Sequence, residues 1–355
     1  MNPSVTIHVD QVCHNMAVIQ AMAGAHDIKV SVVTKSLIGH RGLVQALAEA
    51  GAQSLCEANI RNLETWADLG VERWLIRPPM LSQIDQVVRH ADISLNSEMV
   101  TIRALGAAAS SLGRTHKVVV MVDLGDTREG VMPDEVVGLC RQVTAVEGVE
   151  LYGIGTEFGC ISGVIPTMAA MTRLAILVHE VEDAVGFALP VVSGGSSNAL
   201  IMLQHGLIPL EVNHLRLGES ILLGRVADYH DVIPGCHVDP FTFAAEIIEI
   251  QRKPSQPVGD RPPGVTPIAD DPDFPDQGVR LRALVAAGKQ DVDAAHLTPH
   301  DPDIKLGHGS SDVFVADITD CRTPYRVGDV LTFSMDYYAI LHTMVSPLVE
   351  KVLVP

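Results

Sequence analysis

The sequence predicts an α/β fold followed by a β-rich domain, and three observations carry that expectation. Short apolar segments alternate with helical stretches eight times between residues 28 and 233, the segments joining them are short, and past about Pro234 strand-like runs follow one another with hardly a helix between them. Eight β-then-α units with short connections call for a parallel sheet, and that number favours closure into a (β/α)8 TIM barrel over an open doubly wound sheet. A chain of 355 residues is long enough for such a barrel, which takes about 250 residues, plus a smaller domain.

Taken in order, residues 4–9 alternate as a short strand, and Asp10 is expected to cap a helix running to about Met22. Barrel strands are expected at 28–34, 53–56, 73–77, 92–95, 117–123, 148–155, 189–193 and 213–217, with helices between them, for example 57–69 and 97–112. Met168 and Met171 read as one face of a helix packed on the barrel. Strands of the β-rich part are expected at 241–250, 279–288, 313–318, 329–335 and 347–353. Between the first two lies Lys253 to Gly278, which holds seven prolines and several aspartates and is expected to be irregular, either a functional lid or an exposed excursion.

Composition narrows the function. The 25 Lys and Arg against 43 Asp and Glu give a net charge of −18, which argues against nucleic acid or an anionic membrane surface as partner. That balance is compatible with a cationic substrate, and equally with an acidic surface that keeps the protein soluble. No apolar run reaches the roughly 20 residues of a membrane span, and the first 30 residues lack a signal-peptide pattern. The six cysteines are scattered without a Cys-x-x-Cys pair, which suggests neither a disulfide framework nor a thiolate zinc site, so a cytoplasmic location is expected. His8, His14, His230, His237, His296, His300 and His308 show no ligand spacing on one helix, and no metal is expected.

In a barrel, ligands bind at the carboxyl ends of the strands. The run Val30-Ser-Val-Val-Thr-Lys35 is apolar and β-branched enough to be buried on both faces, and it delivers Lys35 to that end before a helix starts near Arg41. Lys35 is there either a solvated charge or an amine held to form a Schiff base with a carbonyl cofactor. The loops after the other strands gather glycines, hydroxyls and arginines: Asp123 to Gly130, Thr156 to Cys160, Ser193-Gly-Gly-Ser-Ser-Asn198 and Arg216-Leu-Gly218-Glu219-Ser220. The last two follow strands seven and eight, where barrels often bind phosphate on backbone N–H groups. A phosphate cradle with a lysine at another strand end points to pyridoxal 5′-phosphate, which also needs a partner for its ring nitrogen. Arg216 suits that place. A guanidinium is permanently protonated and only donates, so it would leave the pyridine nitrogen neutral and weaken the ring as an electron sink, which suits racemisation and disfavours transamination.

Val-Val-Thr-Lys35-Ser, Met-Val-Asp123-Leu-Gly-Asp-Thr-Arg128-Glu-Gly, Val-Ser193-Gly-Gly-Ser-Ser197, Leu-Arg216-Leu-Gly218-Glu-Ser-Ile-Leu-Leu-Gly224-Arg and Gly307-His-Gly-Ser310-Ser311-Asp312 together resemble the alanine racemase-like, fold-type III pyridoxal-phosphate enzymes over nearly the whole length. Within that group the likeness is greatest to the ornithine racemase branch. The resemblance implies a barrel over 11–233, a β-domain made of 1–10 and 234–355 in which the amino-terminal strand takes part, and a homodimer with active sites at its interface. It implies Lys35 as the Schiff-base lysine and one proton carrier. It places Arg128 at the substrate carboxylate and the cofactor, Ser197, Gly218 and Glu219 at the phosphate together with Tyr337, Arg216 at the ring nitrogen, and Ser310 and Ser311 at the substrate carboxylate. The activity implied is interconversion of L- and D-ornithine or a related basic amino acid. The alternatives are a broad-specificity or alanine racemase, a lyase of the D-threonine aldolase kind, and a non-catalytic pyridoxal-phosphate carrier.

Three departures from the family pattern stand out. Gly39 occupies the place of a tyrosine that binds phosphate, and Glu157 that of a histidine supporting the arginine, where a carboxylate could pair with Arg216. Gly288-Lys289-Gln-Asp291 replaces the Gly-Tyr-Ala-Asp motif of the second base. Racemisation by two bases needs an acid/base on each face of Cα, and Lys289, Asp291, Cys160 and the Tyr337-Tyr338 pair are all open. Asp291 could also pair with a side-chain ammonium of the substrate.

Overall fold

A computed structural model describes residues 2–227, 229, 231–260 and 276–355. The chain divides into two compact units, Val9–Val238 and the segment up to His8 together with Asp239–Pro355. It opens with β1 (Ser4–His8) and α1 (Val9–Gly24). Eight strands then build a closed parallel barrel: β2 (Lys29–Val33), β3 (Ser54–Glu57), β4 (Glu72–Leu75), β5 (Ile93–Asn96), β6 (His116–Met121), β7 (Val149–Gly155), β8 (Val191–Ser193) and β9 (His214–Leu217). Between and after them lie α2 (Arg41–Glu49), α3 (Ile60–Glu64), α4 (Ile84–His90), α5 (Met99–Ser111), α6 (Val136–Thr144), α7 (Met168–Val185), α8 (Leu200–Gln204) and α9 (Glu219–Leu223). The barrel closes where β2 pairs with β9, Lys29 opposite His214 and Ser31 opposite Arg216.

The strands are short and nearly every residue in them is buried, the pattern expected when helices cover one face and barrel side chains fill the other. Val33, Cys56, Trp74, Leu95, Val119 and Met121 form part of one packed cluster. Helix α1 buries Val12, Met16, Ile19 and Ala23 at helical spacing, and its Asn15 is buried as well. The Asn15 amide donates to the carbonyls of Ile221 (3.1 Å) and His237 (2.9 Å), a pin that holds α1 at the end of α9.

In the other unit β10 (Phe241–Pro254), β11 (Val279–Val285), β12 (Leu297–Pro299), β13 (Lys305–Gly309), β14 (Phe314–Asp317), β15 (Val330–Met335) and β16 (Glu350–Val354) join β1 in one sheet, ordered β12-β15-β10-β11-β14-β13. β1 lies between β10, antiparallel, and β16, parallel, so the amino-terminal strand is part of this sheet. Phe333 packs between Phe243 and Phe314, with ring centroids 6.1 and 5.7 Å away.

Several expectations need correction. Asp10 lies inside the first turn of α1, because the helix begins at Val9 directly after β1; its charge faces the helix's positive end from there. The helix expected over 57–69 is only α3, capped by Asn59, whose side chain accepts from Arg61 N, and closed where the Thr65 hydroxyl donates to the Asn62 carbonyl at 2.7 Å. Met171 is buried but Met168 is 57% exposed, since it is the first residue of α7 and precedes the face that packs. The β-rich part contains a helix, α10 (Tyr337–Val345), started by the Asp336 carboxylate accepting from Ala339 N at 2.9 Å. Lys253 and Pro254 are strand residues paired with Arg280 and Val279, allowed because Pro254 ends β10 and needs no donor beyond it. Most of the proline-rich stretch, 261–275, and His230 lie outside the described residues.

Two barrel histidines link the fold to pH. His116 is 2% exposed with Nε2 2.8 Å from Ser94 Oγ, and His214 is 4% exposed. Burial pushes their pKa down from the usual 6.5 to about 4 and about 3. Below the unfolded value of 6.5 the unfolded chain takes up protons that the folded chain refuses, so stability is full above that pH and falls as pH drops towards about 4 and about 3. Urea unfolding of the apoprotein between pH 7 and 4.5 should show this loss, on the order of 2 kcal/mol per histidine over that span, and His116→Gln should remove its share.

Candidate active site

The mouth of the barrel is built from the turns that end its strands. At the end of β2 the Thr34 backbone N–H and hydroxyl both donate to the Cys56 carbonyl, at 2.9 and 3.1 Å, fixing where Lys35 emerges. Lys35 starts a single 3-10 turn, and the chain then passes through Ile38 (φ 49°) and Gly39 (φ 71°) in the left-handed region. For a β-branched residue that conformation costs roughly 1–2 kcal/mol, so local preference alone does not make this turn. A Cβ added at Gly39 would stand 2.8 Å from the Asn62 side chain. Asn62 therefore fills the space beside residue 39 and would have to shift to admit a side chain there.

On β9, the strand that pairs with β2, Arg216 is 2% exposed. Its Nη2 donates to Glu157 Oε2 and to the Thr156 carbonyl, both at 2.9 Å, and its Nη1 donates to Ser193 Oγ. Burial by itself would raise the Glu157 pKa; the Arg216 charge and hydrogen bonds from Ser196, Phe158 N and Arg216 outweigh it and hold Glu157 below the usual carboxylate range. The loop after β6 is tied to the loop after β7 by Asp126, buried, whose carboxylate accepts from Cys160 N (3.2 Å) and Ser162 N (3.3 Å). That tie presents Arg128, whose Nη1 donates to both carboxylate oxygens of Glu129. Burial raises Glu129 above the usual range against the pull of Arg128, and the neighbouring Glu157 charge adds to the rise.

Lys35, Arg128 and Arg216 line one cavity together with Glu129, Glu157, Arg77, Ala58, Ile76 and Leu95. Beside Arg216, the turns after β8 and β9 meet where Ser197 Oγ accepts from Ser220 N at 3.2 Å. Gly195 (φ 117°) allows the first turn, and its carbonyl accepts from Arg216 N at 3.0 Å. Ser220 Oγ and Thr156 Oγ1 are buried and have no hydrogen-bond partner within the protein. Buried hydroxyls left so, beside a Gly/Ser turn and a lysine-lined cavity, fit a bound group that brings its own acceptors. Pyridoxal phosphate, with its phosphate, phenol oxygen and ring nitrogen, is such a group.

The remaining expected residues lie in the other unit. Lys289 N donates to the Ser310 carbonyl (2.9 Å) and Gln290 N to that of Ser311 (3.0 Å), so Lys289, Ser310 and Ser311 share one corner. Asp291 is 3% exposed and its carboxylate accepts from Gly288 N at 3.1 Å, the bond that shapes this turn. Tyr337 is the first residue of α10 and Tyr338 is 56% exposed. Back in the barrel unit, partial burial pushes the Cys160 thiol up despite the nearby Lys35 and Arg128. Sequence reasoning assigned no role to Glu129, Glu57 or His214. Glu129 could have been found, since an acid directly follows Arg128 in the motif. Glu57, buried at the end of β3 with Oε1 accepting from Ala58 N (2.6 Å), and His214 give no signal apart from the fold.

A parallel barrel with an amine at the mouth of its first strand, a buried guanidinium on the strand paired with it and a hydroxyl-rich cradle beside that guanidinium defines a pyridoxal-phosphate barrel enzyme. Residues 7–225 match the family model for the alanine racemase N-terminal domain. Over 352 residues the chain is 36% identical to the ornithine racemase of Acetoanaerobium sticklandii, covering 99% of each chain. Over 355 residues it is 36% identical to the lysine racemase of Thermotoga maritima, again covering 99% of each. In fold it is similar to the alanine racemase of Streptomyces lavendulae (TM-score 0.74, 19% identity, 100% of this chain and 97% of that one). It is equally similar to the D-threonine aldolase of Filomicrobium marinum (TM-score 0.73, 18% identity, 96% and 88%). The chain belongs to the alanine racemase family, the pyridoxal-phosphate-dependent amino-acid racemases.

Breaking a buried ion pair by removing one partner costs about 3–5 kcal/mol, because the other charge stays behind unpaired. Glu157→Ala should therefore lower the unfolding free energy of the apoprotein by that amount in urea titrations, and Glu157→Gln, which keeps an acceptor for Arg216, by clearly less.

Proposed function

We propose that the enzyme interconverts L- and D-ornithine. Likeness over the full length to an ornithine racemase and a lysine racemase carries this reading. The two named substrates differ by one methylene and share a terminal ammonium, so a basic amino acid is the common ground.

Bound pyridoxal phosphate supplies the electron sink that lets Cα release its proton. In the proposal the Lys35 amine anchors the cofactor and carries the proton on one face of Cα. Ser197, the backbone N–H groups of Gly218 and Glu219, and the Tyr337 hydroxyl hold the phosphate. Arg216 donates to the ring nitrogen, while Arg128 with Ser310 and Ser311 holds the substrate carboxylate. Of the residues considered for the second face, Lys289 is the proposed proton carrier, supported by its place beside Ser310. The buried, turn-shaping position of Asp291 supports a role for that carboxylate in holding the Lys289 turn. The proposed working form is a homodimer in which each copy's Ser310-Ser311 loop completes the other's site. The six free thiols support a cytoplasmic location.

Incubation with L-amino acids in deuterated water tests the reading: deuterium should enter Cα of ornithine fastest, with lysine slower by about 10- to 200-fold, the usual discrimination of one methylene. Lysine or alanine exchanging faster would replace the assignment, and glycine released from D-threonine would move the enzyme to the aldolases. Lys35→Ala should abolish exchange and the yellow colour together. Lys289→Ala should lose D-to-L and L-to-D turnover by at least about a hundredfold, the usual contribution of a general acid or base. Activity per protomer should fall on dilution in step with dimer dissociation followed by analytical ultracentrifugation.

A further inference from the structure

His214 has no part in the roles above, yet it sits two residues before Arg216 on β9, buried on the same side of the strand. Its ring lies flat on Trp74, with centroids 4.5 Å apart and planes 12° apart. Nδ1 is 3.0 Å from Ser193 Oγ and Nε2 is 2.7 Å from Ser31 Oγ, which in turn is 2.5 Å from Ser54 Oγ. Ser193 Oγ is also the atom to which Arg216 Nη1 donates. Arg216, Ser193, His214, Ser31 and Ser54 thus form one continuous hydrogen-bonded chain inside the barrel, crossing from β9 to β8, back to β9, and on to β2 and β3.

The direction of the chain follows from its first member. A guanidinium can only donate, so Ser193 Oγ accepts from Arg216 and has one proton of its own to place. Burial, with the Arg216 and Lys29 charges adding to it, pushes the His214 pKa down to about 3, so the ring is neutral and one nitrogen is an acceptor. If Nδ1 carried the proton, the Ser193 hydroxyl would accept twice and its own proton would be stranded in a buried site. With the proton on Nε2, Ser193 donates to Nδ1, Nε2 to Ser31, and Ser31 to Ser54, which leaves the end proton on Ser54, at 8% exposure the member of the chain nearest solvent, instead of on fully buried Ser193. Such head-to-tail chains strengthen each bond.

We infer that His214, held as the Nε2–H tautomer by Ser31 and stacked on Trp74, is a positioning residue that fixes the Arg216 guanidinium through Ser193. The pair Glu157 and Thr156 hold Nη2, the relay holds Nη1, and the guanidinium cannot rotate. The relay also passes through Ser31 on β2, the strand that leads to Lys35, so both sides of the proposed cofactor are referenced to one internal network. The inference rests on Arg216 being the ring-nitrogen partner, as proposed above.

The relay is tested on the apoprotein and the reading of Arg216 on the loaded enzyme, so the two can fail separately. With histidine labelled in 15N and the signal assigned by its loss in His214→Gln, His214 should show an acceptor Nδ1 and a protonated Nε2, unchanged between about pH 5 and about pH 8. Ser193→Ala, which keeps the ring and its stacking, should move the Nδ1 signal, weaken binding of added pyridoxal phosphate about tenfold, and shift its absorption band. Should His214→Gln fail to fold, the Ser193→Ala shift itself assigns the signal. A protonated Nδ1, an imidazolium in that pH range, or a Ser193→Ala protein with wild-type His214 signals and cofactor affinity would overturn the inference. Arg216→Lys leaving the cofactor band and affinity unchanged would instead remove the role proposed for Arg216.

Discussion

A permanent positive charge sits in the barrel with 2% of its surface exposed, and most of the site is arranged around keeping it there. Arg216 cannot shed its proton to ease burial, as a lysine or histidine does. Its cost must therefore be met by acceptors, and the loops after β7 and β8 provide them: Glu157, the Thr156 carbonyl and Ser193. Ion pairing with Glu157 neutralises the charge, while the two uncharged acceptors fix the plane of the fork. A buried pair of this kind is weak evidence for stability, since apolar side chains of like volume often do as well. Its retention is better explained by what the guanidinium can do there, which is to donate without ever giving up a proton.

The same logic runs through the other loops. Arg128 is matched by Glu129, and Asp126 is spent entirely on backbone N–H groups that join two loops. Arg128, Arg216, Glu129, Glu157 and Asp126 are thus each paired or tied to the main chain, which sets much of the cavity's geometry before any ligand arrives. Pre-set donors of that sort are worth more than mobile ones, because they need no reorganisation when charge develops. Strain is placed in the same spots. Two of the non-glycine residues with positive φ, Ile38 and Thr127, stand close after Lys35 and directly before Arg128. Surrounding packing holds those turns open against local preference.

Where the resembled family carries a tyrosine this chain has Gly39, and Asn62 comes within 2.8 Å of where a side chain would start. Glu157 stands where the resembled family has a histidine, and its contact with Arg216 is ionic, at 2.9 Å. Both positions lie at the mouth of the barrel, where β2 and β9 set the places of Lys35 and Arg216.

What the sequence by itself determined was the succession of elements. Eight short runs, most of them apolar and several rich in β-branched residues, became eight barrel strands within a residue or two, because strand burial on both faces leaves a dense local signal. Glycines, hydroxyls and arginines after those strands marked the rim for the same local reason. Helix α10 escaped notice because it is only nine residues long and mostly apolar, so its buried positions Ala339, Ile340, Thr343 and Met344 do not stand out in sequence, and α3 was overextended because its stop is a single threonine hydroxyl. Tertiary structure alone decided the partners. Glu157 and Arg216 are 59 residues apart and Ser31 and His214 are 183 apart. No spacing rule joins such pairs; closure of the barrel, which sets β9 against β2, is what brings them within hydrogen-bond reach.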